Sequence, residues 1–394
     1  MLLTSLFPNE VNPDNGLFNL SRMKALQYAG EEVQVVAPID LTPHMRYILK
    51  NLSMKSIRKN WLDKYHIRKE TVTSGLKVLH PRWFSPPRKM FWESEYKWLH
   101  YFCSNQVDLF IRMNKPDAVI CSWLSPFGVY AGYIKEKYGL PVFVIPEGDD
   151  VMLYPDMYKG WESLRKILNT NADRIICSSS YMKKITEEER KLNNVVHISN
   201  GYDNSLFRYE DHQQDPSRIR LLSVGYLDYI KGQDILIKAL SKLDTRYELT
   251  LVGNGVMRTE LEALALKLGL QKRIHFAGFQ KPEKLASYYH AADIYCLSSR
   301  SEGFGISILE AMACGLPVVG SNAGGIPEKI TPGVNGFIAR SEDVSDFVEK
   351  INHAADIQWD RSMIAKSIQE KYGWNQWASS MIHELNGILQ ETHN

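Results

Sequence analysis

Residues 301–317 of the chain read SEGFGISILEAMACGLP, and they are the most informative part of the sequence. Gly303 and Gly305 lack a Cβ, so the backbone at these positions can approach a ligand closely. A helix is expected to follow and to end at Gly315, a residue suited to a left-handed cap. The N-terminus of such a helix offers free N–H groups and the positive end of its dipole to an anion. The segment therefore predicts a phosphate-binding loop and helix at the end of a strand.

Two glutamates bracket this loop and helix. Glu302 and Glu310 are separated by seven residues, so eight helical steps of ~1.5 Å would place them roughly 12 Å apart. That distance is about the reach from a sugar hydroxyl, across a diphosphate, to a ribose. The pair could therefore bind hydroxyls at the two ends of a nucleotide-sugar while backbone amides hold its middle. Taken alone, the residues also fit a structural turn with two solvated glutamates.

The composition is typical of a globular protein with room for two domains. The chain has 394 residues, of which 44% are hydrophobic and 23% are charged. A net charge of +2 argues against a nucleic-acid partner, which favours a strongly basic domain. Five cysteines without paired spacing, and a start without a basic leader, predict a protein of the reducing cytoplasm that has no zinc site.

Short apolar runs alternate with amphipathic stretches along nearly the whole chain. Residues 118–121, 142–145, 219–224 and 293–297 are examples of these runs. Nearly continuous apolar runs are expected for parallel strands that are covered on both faces. The alternation indicates right-handed βα crossovers. The predicted fold class is therefore α/β, with two doubly wound, Rossmann-like parallel sheets.

A polar stretch between two such series marks the predicted domain boundary. Polarity rises sharply near residue 208, and residues 206–218 are predicted to form the linker. This gives an N-terminal domain of residues 1–205 and a C-terminal domain of residues 219–373. Residues 374–391 are predicted to form a last helix that could pack back on the first domain. Because ligands of doubly wound sheets bind beyond the carboxyl ends of the strands, we expect the domains to face each other across a cleft.

Two further glycine turns follow predicted strands in the second half of the chain. Residues 224–232 read VGYLDYIKG, where Lys231 could reach a phosphate as a point charge, and residues 251–255 read LVGNG. Together with residues 302–315, these segments resemble the retaining glycosyltransferases of family four, whose GT-B fold has two Rossmann-like domains. The resemblance covers nearly the whole chain. Other matching segments are residues 274–278, 291–293, 327–328 and 335–337 and, more loosely in the first half, Gly16 and residues 30–33, 172–176 and 200–203.

The resemblance implies which residues bind the sugar donor. Glu310 would bind the ribose, Glu302 and the amides of the glycine loop would hold the donor hexose, and Ser307 would lie close to the phosphates. Lys231 and Gly16 would flank the diphosphate. The full set of implied donor-binding residues, with Phe276 near the base, is Gly16, Tyr226, Lys231, Gly253, Phe276, Glu302, Gly303, Phe304, Gly305, Ile306, Ser307 and Glu310.

The resemblance also implies a catalytic group and an acceptor side. The residues implied for catalysis are Glu302, Lys231 and Glu147, and those implied on the acceptor side are Asn15, Trp123 and Ser125. Members of the family need no metal, because cationic side chains and a helix end neutralise the leaving diphosphate. We therefore expect neither a metal nor another cofactor.

Two positions depart from the pattern of the family. Tyr226 stands where the family usually has an arginine, so a planar cation is replaced by a neutral hydroxyl. Glu147, in residues 146–151, stands where a histidine commonly contacts the donor sugar. A carboxylate there would repel a nearby phosphate unless it were protonated or charge-paired. Our hypothesis is that Glu147 contacts the donor hexose and partly replaces the histidine; the alternative is an acidic loop at a strand end.

Two basic and aromatic segments suggest contact with an anionic membrane. Residues 46–69 hold eight basic residues against one acidic residue, and Ile57, Trp61 and Tyr65 recur every four residues among them. Residues 82–92 repeat the mixture. The alternative is an ordinary solvated helix whose apolar stripe packs on the core.

The function that the resemblance implies is hexose transfer with retention of configuration. The donor would be a nucleotide-sugar, with UDP as the expected nucleotide, and the acceptor a glycan or a lipid-linked saccharide in cell-surface polysaccharide synthesis. The protein would be cytoplasmic, and peripheral on the inner membrane face if the basic segments bind lipid.

Two alternative functions are compatible with the same motifs. A sugar-nucleotide epimerase of the same fold would convert the donor without any acceptor. A non-catalytic protein that binds sugar nucleotides, which Tyr226 and Glu147 would favour, would bind the donor without transfer or hydrolysis. A dinucleotide oxidoreductase is disfavoured, because Arg258 occupies the place of a third glycine after Gly253 and Gly255.

Overall fold

A computed structural model describes residues 1–42, 54–211, 215 and 217–393. The chain divides into two compact units. The first unit contains Met1–Ser178, Met182–Ile198 and Trp377–Asn394, and the second contains Ser179–Tyr181 and Ser199–Gln376.

The described residues of the first unit form ten strands and the helices around them. Its strands are β1 (Leu2–Leu3), β2 (Gln34–Val36), β3 (Ile39–Asp40), β4 (Glu70–Thr73), β5 (Leu76–Leu79), β6 (Arg82–Trp83), β7 (Val119–Ser122), β8 (Val142–Ile145), β9 (Arg174–Cys177) and β10 (Val195–His197). Its described helices are α1 (Leu17–Tyr28), α2 (Met54–His66), α3 (Arg88–Phe91), α4 (Glu95–Asn114), α5 (Val129–Tyr138), α6 (Asp149–Met152), α7 (Tyr154–Met157), α8 (Trp161–Asn171) and α9 (Ser180–Lys184), whose first two residues belong to the second unit. Short turns of other helix types span Trp92–Ser94, Leu124–Gly128 and Ile185–Glu189.

The main sheet of the first unit has the order β10-β9-β8-β7-β1-β2-β5-β4. All neighbours are parallel except β4, which runs antiparallel to β5. Strand β1 lies in the middle, because Leu2 pairs with Val35 on one side and with Ile120 on the other. The chain fills the sheet on one side of β1 and then on the other, so the topological switch point lies between β1 and β7.

The second unit is a six-stranded sheet with helices. Its strands are β11 (Ile219–Val224), β12 (Tyr247–Val252), β13 (Ile274–Gly278), β14 (Ile294–Leu297), β15 (Val318–Ser321) and β16 (Gly336–Ala339). Its helices are α10 (Gln233–Leu240), α11 (Arg258–Lys267), α12 (Pro282–Ala291), α13 (Ile306–Ala313), α14 (Val344–Asp356) and α15 (Arg361–Gln369), with a short turn at Pro327–Lys329. A last helix, α16 (Trp374–His393), begins in this unit and continues in the first.

The second sheet has the Rossmann strand order. Its order is β13-β12-β11-β14-β15-β16, all parallel, which reverses direction between β11 and β14. Alternate residues of β14 enter different cores, Tyr295 and Leu297 on one face and Ile294 and Cys296 on the other. The sheet is therefore covered on both faces, and the predicted α/β fold with parallel sheets in two domains is confirmed.

The boundary between the units lies earlier than the predicted linker. The chain enters the second unit at Ser199, whereas residues 206–218 were expected to connect the domains. Tyr202 and Phe207 are buried in the core of the second unit, where the Phe207 ring meets Tyr289 with ring centroids 5.6 Å apart. The polar stretch that begins near residue 208 thus lies within the second unit, after the point where the chain leaves the first.

None of the helices in the described part of the chain combines the length and the apolar character that a membrane span requires. All five cysteines are buried free thiols. Burial raises the pKa of the Cys103 thiol to about 12, because the thiolate would have no solvation in the core.

Helix α16 predicts a stability effect in the first unit. Met381 is fully buried, and Glu384 on the same helix accepts a hydrogen bond of 2.9 Å from Arg174. Met381→Ala should lower the free energy of unfolding by about 2–5 kcal/mol, because it leaves a cavity. Urea unfolding measures the loss. His383→Ala, at an exposed position of the same helix, should change it by less than about 0.5 kcal/mol; equal effects of both variants would contradict the packing of α16.

Candidate functional site

Lys231 and Glu302 meet at the switch point of the second sheet. Lys231 follows β11 and Glu302 follows β14, and these two strands are neighbours in the sheet. The Lys231 Nζ donates to the Glu302 Oε2 over 2.8 Å, and the Ser299 hydroxyl donates to the same oxygen over 3.4 Å. The side chains are 29% and 12% exposed, respectively. The ion pair therefore lies where doubly wound sheets bind their ligands.

The backbone around Glu302 is held by a second glycine turn. The Gly325 N–H donates to the Glu302 carbonyl over 2.9 Å. A Cβ at Gly324 would lie 1.9 Å from that carbonyl oxygen, so no side chain fits there. Ser179 donates its hydroxyl to the Gly303 carbonyl over 2.7 Å. The backbone of the loop that carries Glu302 is thus held by the Gly325 N–H and the Ser179 hydroxyl.

Helix α13 begins directly after this loop. Gly305 has a φ of +83°, a left-handed conformation that favours glycine, and no side chain caps the helix there. Ile306 and Ser307 are the first residues of the helix, whose initial N–H groups have no partner within the helix. Gly315, with a φ of +84°, follows its C-terminus as the sequence predicts. The N-terminal end of α13 is therefore suited to an anion.

Glu310 lies one turn further along α13. The Tyr289 hydroxyl donates to the Glu310 Oε2 over 2.8 Å. Burial, with a smaller contribution from the negative charge of Asp203, raises the pKa of Glu310 to about 7, whereas the hydrogen bond from Tyr289 opposes the shift. Tyr289 is itself buried, which holds its own pKa well above the ordinary value. Glu310 is thus an acceptor whose charge changes near neutral pH.

The remaining donor residues predicted in this unit lie at the carboxyl ends of β11 to β13. Tyr226 has a side chain that is 54% exposed, while its carbonyl accepts from the Gln233 amide over 3.0 Å. Gly253 packs against the preceding turn, since a Cβ there would lie 1.9 Å from the Gly225 carbonyl oxygen. Phe276 lies in β13. These positions share the edge of the sheet that carries Lys231.

Arg300 lies two residues before Glu302, but its side chain binds other residues of the protein. It donates to Asp234 over 2.9 Å and to Glu342 over 2.8 Å, and its guanidinium lies 4.0 Å from the centre of the Tyr229 ring. These contacts anchor the turn before Lys231. Arg300 therefore does not replace the cation that is absent at position 226.

Sequence reasoning missed a second lysine beside the glycine loop. Lys329 is 5% exposed, and its Nζ lies 3.8 Å from the centre of the Phe304 ring. The same Nζ donates to the Gly325 carbonyl over 2.9 Å. The sequence gives only a weak indication of this lysine, which directly follows residues 327–328, a segment that resembles the family pattern.

Glu147 occupies the corresponding edge of the sheet in the first unit. It follows β8, and its Oε1 accepts from Arg22 over 2.6 Å and from the Ser122 hydroxyl over 2.7 Å. Arg22, in α1, has a side chain that is 1% exposed. The carboxylate is therefore charge-paired, which is one of the two conditions under which the sequence allows it near a phosphate. Neither Arg22 nor Ser122 was predicted.

Asp150 fixes the loop that carries Glu147. Its buried carboxylate accepts from the N–H groups of Leu124, Glu147 and Gly148 over 2.8, 2.9 and 3.1 Å. Burial raises the pKa of Asp150 to about 7, although the backbone donors lower it. One side chain thus joins the loops after β7 and β8.

The predicted residues near the start of the chain shape the loop between β1 and α1. Gly16 has a φ of +67°, and a Cβ there would lie 2.2 Å from the Leu6 carbonyl oxygen. The Asn15 amide donates to the carbonyls of Ser5 and Phe7 over 3.0 and 3.2 Å. The Asn15 amide thus binds its own loop.

The other two residues predicted on the acceptor side follow β7. Trp123 stacks on Tyr154 with ring centroids 5.8 Å apart, and the Arg88 guanidinium lies 5.6 Å from the Trp123 ring centre. Ser125 is buried. Trp123 is therefore part of an aromatic and cationic cluster, and the Ser125 side chain lies within the protein.

Residues 208–371 match the family model described as glycosyl transferases group 1. A putative teichuronic acid biosynthesis glycosyltransferase of Bacillus subtilis is 25% identical over 82% of this chain and 81% of its own length. Among solved structures, sucrose-phosphate synthase from Thermosynechococcus elongatus has a TM-score of 0.78 at 19% identity and 99% coverage of both chains. Anabaena HepE in complex with UDP and glucose has a TM-score of 0.71 at 18% identity, covering 98% of this chain and 99% of that one.

The fold and the family model define the class of the protein, an enzyme that transfers glycosyl groups. Residues 208–371 of the chain belong to the group 1 glycosyl transferases, and the chain has the GT-B fold.

The buried carboxyl of Glu310 predicts that the stability of the protein depends on pH. Because the pKa of Glu310 is raised to about 7, its ionised form is disfavoured in the folded protein, and stability falls as the pH rises from the ordinary pKa of a glutamate to that value. Glu310→Gln keeps an acceptor for Tyr289 and should add about 1 kcal/mol or more at about pH 8, with little change near the ordinary pKa of a glutamate. Urea unfolding midpoints at the two pH values measure this. The exposed control Glu260→Gln should show no such difference; a pH-independent effect of Glu310→Gln would contradict the prediction.

Proposed function

We propose that the protein is a retaining hexosyltransferase that uses a UDP-sugar and acts on a glycan or lipid-linked saccharide in cell-surface polysaccharide synthesis. The observation that carries the proposal is the Lys231–Glu302 ion pair at the switch point, beside the N-terminal end of α13. A UDP complex of HepE supports the choice of nucleotide, and the teichuronic acid relative supports the choice of pathway.

Each part of the donor has a matching group in the second unit. The diphosphate would lie against the N-terminal end of α13 and Lys231, where positive charge compensates its own. The Glu302 carboxylate would accept from hexose hydroxyls. Lys231 also neutralises that carboxylate, which would otherwise repel the diphosphate. Glu310 would accept from the ribose hydroxyls in its ionised form.

The proposed reaction exchanges one bond at the anomeric carbon of the hexose. The bond from this carbon to the phosphate oxygen breaks, and the acceptor oxygen bonds to the same face. The acceptor proton passes to the leaving diphosphate, so no separate general base is needed. Lys231 and the end of α13 would stabilise the charge that develops on the diphosphate, and such stabilisation is usually the main source of an enzyme's rate enhancement. In this proposal the reaction requires no metal.

Glu147 is proposed to contact the donor hexose from the first unit. Arg22 and Ser122 both donate to Oε1 over short distances, whereas Oε2 accepts from Arg22 over 3.4 Å. Oε2 therefore has capacity to accept from a sugar hydroxyl. The ion pair with Arg22 reduces the repulsion that an unpaired carboxylate would exert on the diphosphate.

Lys231→Met tests the central ion pair. The variant should lower turnover by about 10²–10³-fold, because it removes a cation from the developing charge. Transfer is assayed with the nucleotide-sugar that best stabilises the protein in a thermal-shift screen, and the anomeric configuration of the product is read by NMR. The matched control Lys242→Met, at an exposed position of the same unit, should keep full activity.

Four results would contradict the proposed function in whole or in part. Full activity of Lys231→Met would remove the role of the ion pair. Conversion of the donor in the absence of any acceptor would indicate an epimerase. Donor binding without transfer to any acceptor would indicate a non-catalytic protein. A product of inverted configuration would exclude the retaining mechanism and leave the rest of the proposal unchanged.

A surface of the first unit favours an anionic membrane as a second partner. Helix α4 exposes an apolar face, and the rings of Phe84, Trp98 and Tyr101 lie within 5.1–6.5 Å of the Phe102 ring, so they form one patch. Large apolar side chains exposed between residues 84 and 113 are Phe84, Met90, Phe91, Trp98, Tyr101, Leu109 and Met113. Exposed basic residues beside them on the chain are Lys97, Arg112 and Lys115. Aromatic and basic side chains together suit the surface of an anionic bilayer.

The two segments predicted to contact the membrane differ in their surroundings. Residues 82–92 contribute Phe84, Met90 and Phe91 to the exposed apolar set. In residues 46–69, positions up to 53 lie outside the described residues, and Trp61 packs on the small core that includes Ile67. The alternative of an apolar stripe packed on the core therefore applies to Trp61, and the proposed docking surface lies mainly on α4.

Flotation with vesicles tests this docking surface. The protein should float with vesicles that contain anionic phosphatidylglycerol and not with neutral phosphatidylcholine vesicles, and salt should weaken the binding. Replacing Trp98 and Tyr101 by serine should reduce flotation about tenfold or more, since two interfacial aromatics are lost. Tyr28→Ser, at an exposed site on α1, is the control. Absence of flotation at low salt would remove membrane docking.

A further inference from the structure

The glycine loop of the second unit has a buried cation behind it. Lys329 ends the short turn Pro327–Lys329, and 95% of its surface is hidden from solvent, since it is 5% exposed. Its Nζ lies 3.8 Å from the centre of the Phe304 ring and donates to the Gly325 carbonyl over 2.9 Å. Phe304 is also buried. Both contacts of the ammonium group therefore lie inside the protein.

These two contacts hold both sides of the loop that carries Glu302. Phe304 stands between Gly303 and Gly305, and Gly305 directly precedes the first residue of α13. Gly325 donates its N–H to the Glu302 carbonyl over 2.9 Å. Lys329 thus connects the Phe304 side chain with Gly325, whose N–H group binds the Glu302 carbonyl.

A lysine is a costly choice for a purely structural contact in this place. Burial of an ammonium group disfavours its charged form, and a methionine could fill the same space without that cost. Glu302 and Glu328 are the carboxylates that favour the charge, and burial opposes it more strongly, so the pKa of Lys329 is lowered to about 8. The charge is therefore retained at neutral pH, although its solvation is poor.

We propose that Lys329 is a positioning residue of the donor site, whose buried charge orders the Glu302 loop and raises the positive potential at the start of α13 for the donor diphosphate. The inference rests on the proposed function, because it assumes that a nucleoside diphosphate binds there. In a poorly solvated site a charge acts over a longer distance than in water. Lys329 would therefore favour an anion that it does not touch.

The charge of Lys329 predicts the direction of a pH effect. The ammonium group is protonated below its pKa of about 8 and loses its charge above it, and binding of an anion favours the protonated form. The affinity for UDP should therefore fall between about pH 7.5 and 8.7, where the phosphates of UDP are already ionised. Arginine remains protonated over this range. Lys329→Arg should remove the fall, and the same fall should be absent for uridine, which has no phosphate.

Calorimetric titration of the full chain with UDP and with uridine tests the proposal. At neutral pH, Lys329→Met should weaken UDP binding by about tenfold and uridine binding by less than about twofold, because only UDP carries the charge that Lys329 favours. Lys329→Arg should recover most of the UDP affinity. Lys371→Met, at an exposed position of the same unit, should leave both affinities unchanged.

The possible results separate this inference from the proposed function. Equal losses for UDP and uridine in Lys329→Met, or wild-type UDP affinity in that variant, would overturn the positioning role alone. The pH dependence of the wild-type protein needs no variant, so a constant UDP affinity over the stated range would overturn it even if Lys329→Met did not fold. Failure of the wild-type protein to bind UDP, ADP or GDP would overturn both the proposed function and the inference.

Discussion

The Lys231–Glu302 ion pair depends on one constraint, the adjacency of β11 and β14 in the second sheet. These strands begin different halves of the sheet, so the loops that follow them meet although the two residues are 71 positions apart. If β11 and β14 were not adjacent in the sheet, Lys231 would not reach the Glu302 carboxylate, and the glycine loop after β14 would not lie beside the loop after β11. The chemistry of the site is thus a consequence of strand order, which in turn follows from right-handed crossovers between buried parallel strands.

The predicted glutamates of the two units differ in the groups that compensate their carboxylates. Glu302 has Lys231, and Glu147 has Arg22, so both carry an opposite charge within hydrogen-bonding distance. Among the described residues, the partner of Glu310 is the neutral hydroxyl of Tyr289, and burial raises the pKa of Glu310 to about 7. Glu302 and Glu147 each have a cation as partner, whereas Glu310 can change its charge near neutral pH. The difference arises from the partners, since all three are glutamates beside strand or helix ends.

The sequence predicts the parts of the site that depend on local pattern and strand ends. The glycine loop, the helix after it and the lysine after β11 follow from spacing, because glycine turns and apolar runs are local signals. The contacts of Arg22 with Glu147, 125 positions away, and of Lys329 with Phe304 need the packed structure, since nothing near either cation in the sequence indicates its partner. The early unit boundary has a similar cause: Tyr202 and Phe207 are buried by distant residues, and local polarity does not report this burial.

Close backbone packing fixes the shape of the glycine turns and leaves the side chains around them free to differ. A Cβ at Gly253 or Gly324 would lie 1.9 Å from a carbonyl oxygen and would overlap it. Each of these glycine turns therefore packs directly on the backbone of a neighbouring loop and fixes the position of that loop. Loops held in this way are ordered before a ligand arrives, which lowers the entropy lost on binding. Substitutions that keep the backbone, such as Tyr226 and Glu147 in place of the residues usual in the family, can then alter charge and hydrogen bonding without altering the frame. The specificity of this chain is therefore to be sought in those side chains and in the buried cations, Arg22 and Lys329, that lie behind the loops.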